Sequence, residues 1–429
     1  MASKFLSFYD SLYGDVSLNE TTTMLVSAPE VQRLRHVRLS NIDSVTMPGI
    51  SGLSRYEHVI GVAYLAQNTG LTKRLSSRDM VALTAAALLH DWAITAFGHL
   101  VEEAFQYAGA SFNHETKLYE IVMGEGASEI GGVDRQFFRG RSGLRRWLER
   151  VAPSSDVNNL LKDIIECISG KGKLGRVVSG DIDLDNIDNV FRMAFHMGLG
   201  PDRGIPRRLA AGIVGIDEVS GRPLFSRSVE SDISTWLITR RQVYERLMLS
   251  ETDFVGKLML LYATVKAWQQ GELLDTDWNL VDDQFLSRLL KSRAKECSDT
   301  VDRWLVGDVW ATTPLFWMTG RRPDYPEVLR FSESLSIQLG RTCFAYCIKD
   351  KRDRKLDVMF EDGSCESLGH ESSQWLLGVG SPVKKTLGAS QIREIVEYAE
   401  SYFQSKQISE ATIASSTDAA SITNQLGLL

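Results

Sequence analysis

From residue 55 to about residue 305, apolar side chains recur every three or four positions in one segment after another, and no alternating apolar–polar run interrupts them. A chain patterned this way buries its apolar stripes helix against helix, so its first three-quarters or so is expected to be mainly α. The periodicity predicts helices over 55–67, 77–107, 144–150, 158–168, 185–197, 233–270 and 283–305, with Ser77 and Asp79 capping the second.

The pattern changes over 310–326, where Pro314, Pro323, Pro326 and Thr319-Gly320 break the periodicity. Short alternating runs at 342–348 and 355–360, separated by the charged turn KDKRDR, predict a hairpin. Residues 390–403 predict a last amphipathic helix, with Ile392, Ile395, Val396, Ala399, Tyr402 and Phe403 on one face. The expected organisation is an N-terminal segment 1–25, a helical core 26–310, a small α+β appendage 311–404 and a flexible Ser/Thr/Ala-rich tail 405–429. No internal repeat is visible.

A hydrophobic share of 43% over 429 residues supplies a sizeable core and excludes disorder as the main state. The longest apolar run, 81–89, is too short to span a membrane, and the N-terminus carries acids where a signal peptide would be apolar, so a cytoplasmic protein is expected. Five scattered cysteines without a CxxC pair predict reduced, mostly buried thiols rather than a disulfide framework or a cysteine zinc site. A net charge of −7 argues against nucleic acid as the main partner.

Five of the seven histidines, His36, His58, His90, His99 and His114, fall between 36 and 114. His90 and Asp91 leave the apolar run VALTAAALL at adjacent positions, so an imidazole and a carboxylate straddle one point at the end of a buried helix. The run DIDLDNID places Asp181, Asp183, Asp185 and Asp188 just before another apolar helix. Imidazoles combined with carboxylates make a mixed N/O donor set, which suits one divalent ion (Mn, Fe, Co, Ni, Zn or Mg) with positions left for water. Histidine is the side-chain type suited near neutral pH to protonating a leaving oxygen or steadying negative charge, which makes His114 and His99 the candidates.

Five strings, QRLRHV (32–37), PGISGLSRYEH (48–58), LLHDWAITAFGH (88–99), NHE (113–115) and DIDLDNIDNVFR (181–192), resemble the HD-domain phosphohydrolases in order and spacing. Within that superfamily the chain is most similar to the deoxynucleoside triphosphate triphosphohydrolase branch, over about 26–305. The resemblance implies an HD-domain helical bundle in which His58, His90, Asp91 and Asp185 bind the metal, and Asp183 and Asp188 cap or support. It also implies that Arg55 and Arg240 contact polyphosphate, and Arg192 is expected to pair with the acidic run. Relatives assemble as homo-oligomers, and the same is expected here.

Departures from the branch concentrate where the substrate would be chosen. Ile94 stands at a phosphate-contacting histidine, while Asn186 and Asn189 replace a lysine on the triphosphate and a tyrosine on the sugar. Met193 replaces an acid at the sugar hydroxyl, Leu39 a glutamine, and Met248-Leu249-Ser250 a Tyr-x-His motif. The expectation is a metal-dependent phosphohydrolase acting on a nucleotide or related phosphoester, with a rebuilt sugar and phosphate pocket in which Asn186 and Asn189 meet the substrate. The alternative is a nucleotide-sensing or catalytically silent HD regulatory protein.

Other features have plainer readings. The string GKGKLG (170–175) matches GxGxxG but follows a helical pattern where a dinucleotide fold needs a strand. Arg135, Arg139, Arg141, Arg145, Arg146 and Arg150, with Phe137, Phe138 and Trp147 between them, form a solvated helix face or, less often, a nucleic-acid patch. Trp304, Trp310 and Trp317 are expected as core or interface anchors, His36, after Arg-Leu-Arg, as a structural residue, and His196 and His370 as surface or packing residues without acidic or histidine neighbours.

Overall fold

The computed structural model describes residues 7–413 except 43, 111, 115–116, 118–142 and 384–386. The protein is mainly α. Helices α1 (Glu20–Val26), α2 (Pro29–Arg33), α3 (Pro48–Ser51), α4 (Arg55–Gln67), α5 (Ser77–Leu89) and α6 (His99–Tyr107) come first. They are followed by α7 (Gly143–Val151), α8 (Val157–Ile168), α9 (Gly175–Val178), α10 (Leu184–His196) and α11 (Ile205–Ala211). Then come α12 (Glu230–Leu249), α13 (Glu251–Gln269), α14 (Asp282–Leu290), α15 (Lys295–Leu305), α16 (Tyr325–Leu339) and α17 (Ala389–Phe403).

Three of these helices frame the site. Ser54 caps α4 by accepting from the Glu57 amide, Ser76 rather than Ser77 caps α5, and Asp183 caps α10 through the Asn186 amide at 2.6 Å. Helix α4 packs against both α5 and α10, and α5 is buried without interruption from Ala82 to Leu89. A helix apolar on every face belongs in the middle of a bundle, and its C-terminal end therefore opens inside the protein.

Three long helical predictions break in two. The 77–107 segment ends at Leu89 and restarts at His99, and just before the restart Phe97 (φ 53°) and Gly98 (φ 60°) adopt positive φ, which a right-handed helix does not contain. A Cβ at Gly98 would also lie 2.6 Å from Arg55 Nη2 and 2.7 Å from Asn41 Oδ1, so only glycine allows the turn that restarts the chain as α6. The 233–270 segment breaks at Ser250, whose extended backbone caps α13, and the 283–305 segment breaks between α14 and α15.

Strands occur where none was expected. β1 (Ser7–Asp10) and β2 (Gly14–Ser17) form an antiparallel hairpin, and β3 (Ile213–Ile216) pairs with β4 (Pro223–Phe225). These are three- and four-residue pairings, too short to show a period. Beyond residue 310 lie β5 (Ala311–Thr312), β6 (Phe316–Met318), β7 (Phe344–Lys349), β8 (Leu356–Phe360), β9 (Cys365–Leu368), β10 (Trp375–Ser381) and β11 (Gln407–Glu410).

The expected hairpin of 342–348 with 355–360 does not form. β7 pairs with β10 in a sheet ordered β11-β6-β10-β5, whereas β8 joins β4 in parallel and β9 antiparallel. Their surroundings differ: the first four residues of β7 are all buried, while β8 alternates buried and half-buried residues as a one-sided strand does. In the intervening turn Asp353 pairs with Arg241 on α12 at 3.1 Å. The tail is not wholly loose either, since β11 pairs with β6; residues 414–429 lie outside the described part.

Trp304, Trp310 and Trp317 are buried in the core, and four cysteines are buried while Cys365 is exposed. The GKGKLG string forms the turn between α8 and α9, with no strand before it. Arg135, Arg139 and Arg141 and the Arg145 side chain lie outside the described residues; Arg146 and Arg150 are exposed on α7. No helix among the described residues is long and apolar enough to cross a membrane.

Candidate metal centre and its cleft

Helix α4 carries His58, the buried end of α5 carries His90 and Asp91, and the first turn of α10 carries Asp185. His58 Nε2 lies 3.2 Å from His90 Nε2 and 3.0 Å from Asp185 Oδ1. Asp91 Oδ2 lies 3.6 Å from His90 Nε2 and 3.9 Å from His58 Nε2. The opposite ring nitrogens are taken: His58 Nδ1 meets Asp188 Oδ1 at 2.7 Å, and His90 Nδ1 meets the Ala87 carbonyl at 2.9 Å. A carbonyl and a carboxylate only accept, so each Nδ1 donates and each neutral ring turns its Nε2 lone pair inward. Two inward lone pairs facing two carboxylates fit a divalent cation.

Without a cation the same groups satisfy one another as charges. Burial works against the His90 imidazolium, but the Asp91 and Asp185 carboxylates outweigh it and raise the group to about 9. Burial likewise opposes ionisation of Asp91, and Arg55, in direct ion-pair contact, with His90 and His58 holds it well below the usual carboxylate range. Asp183 is pushed up to about 7 by burial and by the nearby Asp185 charge. Its place as the α10 cap explains why that acid is in the run.

Behind His58 stands a second layer. Asp188 accepts from the Tyr13 hydroxyl at 2.8 Å and from Arg192 Nε at 2.8 Å. Arg192 is itself fully buried and also reaches Asp10 at 3.0 Å and Glu57 at 2.8 Å. His196 was expected to lack acidic neighbours but lies 3.3 Å from Glu57, and His370 lies 3.2 Å from Asp353. Both corrections come from contacts between segments far apart in sequence.

His99 and His114 meet through a residue the sequence reading passed over. Glu102 Oε2 lies 3.1 Å from His99 Nδ1 and 3.0 Å from His114 Nδ1. Burial would raise the Glu102 carboxyl, but hydrogen bonds from His114 and His99 hold it down at about 2. The available signal was its spacing of three from His99, which places both on one face of α6.

No family model matches this chain. An uncharacterized protein of Methanocaldococcus jannaschii is 23% identical over 299 residues, 68% of this chain and 57% of that protein. The deoxynucleoside triphosphate triphosphohydrolase SAMHD1 of Danio rerio is 24% identical over 284 residues, 61% of this chain and 44% of that protein. The likeness to dNTP triphosphohydrolases holds in sequence. The chain spans about half the length of these curated relatives. The fold is shared with a crystal structure of a phosphohydrolase from Bacteroides thetaiotaomicron, at TM-score 0.63 and 18% identity, over 88% of this chain and 100% of that one.

Beside the SAMHD1-like motifs, the cleft shows what is and is not gathered there. A cavity of about 270 Å³ is lined by Arg55, His58, Asp91, His99, Asp185, Asn186 and Asn189 among others. A smaller one of about 180 Å³ is lined by His90, Asp91, His99, His114 and Asp185, so His114 faces the centre from the other side. Asn186 donates to Asp183 at 2.9 Å, while the buried Asn189 Oδ1 has no hydrogen-bond partner among the described residues. Arg240 lines the next cavity instead, stacked 4.3 Å from the Tyr244 ring centroid. Ile94 is fully buried in the core, so that position offers nothing to a phosphate. Lys257, Tyr346 and Lys351 also line the main cavity, and no local motif marked them.

Proposed function

We propose that this chain is a metal-dependent phosphohydrolase acting on a nucleotide or related phosphoester, with a dNTP-triphosphohydrolase-like centre and an altered sugar and phosphate pocket. The observation that carries the reading is the inward convergence of His58 Nε2, His90 Nε2, Asp91 Oδ2 and Asp185 Oδ1 on a cleft whose other wall holds Glu102-bound His114. In this reading those four residues hold one divalent ion (Mn, Fe, Co, Ni, Zn or Mg). Such an ion would bring the pKa of a water toward neutrality and neutralise phosphate oxygens.

The chain's own groups do the rest. Asp188 and the Ala87 carbonyl fix the two imidazole tautomers, and Arg55 keeps Asp91 ionised. His114, held through Nδ1 by Glu102, serves in this reading as general acid toward the leaving oxygen. His99 shares Glu102 and steadies the developing charge. Asn186 and Asn189, one turn apart on α10, line the substrate's path.

A nucleotide-sensing or silent protein is the second reading, favoured by the buried Ile94. Elemental analysis of wild-type and Asp91→Ala protein, with a hydrolysis screen over dNTPs, NTPs, mono- and dinucleotides and phosphomonoesters in Mn, Fe, Co and Mg, separates them. Metal and turnover in wild type alone establish the enzyme. Bound metal without turnover favours the sensor, and no metal in wild type overturns both.

A further inference from the structure

The cleft that holds the His–Asp centre is also lined by two lysines. Lys257, on α13, is 7% exposed, and its ammonium makes one hydrogen bond, to the Leu247 carbonyl at 2.7 Å. An ammonium has three donors, so two remain. Lys351, an exposed residue in the turn after β7, lines the same cavity and lies close enough for its charge to act on Lys257. Neither lysine forms an ion pair among the described residues, although Glu103 lines the same cavity and Asp253 lies near enough to act on Lys257. Asp253 accepts from Ser44 at 2.6 Å, Ser250 at 3.0 Å and the Val45 amide at 3.1 Å, and Glu103 accepts from the Tyr346 hydroxyl at 2.7 Å.

Burial lowers Lys257 to about 8, with Lys351 adding to the effect and Asp253 and Glu103 opposing it. Two like charges, one desolvated, thus face one carboxylate of the cavity lining, Glu103, and the excess positive charge costs free energy until an anion arrives. A phosphate group, carrying nearly two negative charges near neutrality, matches two point-charge ammoniums. The same cavity also presents Leu39, Met193 and Met248, which suit a neutral body.

We propose that Lys257 and Lys351 bind a second phosphate of the substrate, set apart by a neutral body from the phosphoryl group at the His–Asp centre, so that the chain acts on bisphosphorylated nucleotides. This rests on the function proposed above. The test is calorimetric titration of the Mn-loaded full chain with adenosine 5′-monophosphate, adenosine 2′,5′- and 3′,5′-bisphosphate, and ATP. In wild type, at least one bisphosphate should bind tenfold or more tightly than the monophosphate. In Lys257→Met and in Lys351→Ala that ratio should fall below threefold; the second variant changes only an exposed side chain and guards against a folding defect in the first.

A ratio unchanged in both variants, a wild type that does not discriminate or binds neither bisphosphate, or a preference for ATP alone overturns the proposal. Failure of the underlying reading looks different: metal would be equally absent from wild type and Asp91→Ala, whatever the ligand ratios.

Discussion

Asp188 sets Oδ1 2.7 Å from Nδ1 of His58 while fully buried. That contact fixes which His58 nitrogen faces the cleft, and Asp188 is held in turn by Tyr13 and Arg192. Asp188→Asn keeps the shape but weakens the hold on the ring. Metal affinity should fall about 10–100-fold while the protein stays folded. Chelator competition checks this, and unchanged affinity would show that the imidazole needs no such support.

Gly61 lies three residues after His58 on α4, and a Cβ there would overlap the Asp188 carboxylate and the Arg192 guanidinium. Gly61→Ala should therefore destabilise the fold by about 1–3 kcal/mol in spite of alanine's better helix propensity. Urea unfolding reads the cost. A stabilised variant would mean that the buried pair can move aside.

His114→Ala should retain the metal and lose about 10²–10⁴ in rate, since it removes the acid and leaves the four inward donors. Metal content and turnover measured on one preparation separate the two effects. Full activity would assign the acid elsewhere.

Glu102 is lowered from 4.5 to about 2 in the fold, so its ionisation contributes stability above the unfolded value that is lost as pH falls toward 2. Over that window Glu102→Gln should lose less stability than wild type. Parallel acid-unfolding curves for the two would contradict the pairing with His114 and His99.

Lys257 carries the opposite linkage. Its folded pKa of about 8 lies below the ordinary 10.5, so the unfolded chain binds the extra proton and wild-type stability rises between those values. Lys257→Met should accordingly be more stable than wild type near pH 7, by about 3 kcal/mol at most, and the gap should close toward pH 10.5. Thermal unfolding across pH checks it, and a variant less stable at pH 7 would mean the ammonium is well paired.

Local pattern determined the helices and the gathering of chemical groups. The end of a buried helix at His90-Asp91, the histidine in RYEH and the acids of DIDLDNID are legible because each depends on spacing within a turn or two. Tertiary structure decided what each group faces. Asp188 serves His58 because a hairpin 175 residues earlier brings Tyr13 to it, and Glu102 holds His114 from 12 positions away. Ile94 turns into the core, Arg240 into the neighbouring cavity, and 342–348 and 355–360 into different sheets. Lys257 and Lys351 line one cavity although 94 positions separate them, as their numbering shows. Periodicity reports which side of an element is apolar; the partner that covers that side, and the charge it brings, is set only when distant segments compete for the same buried volume.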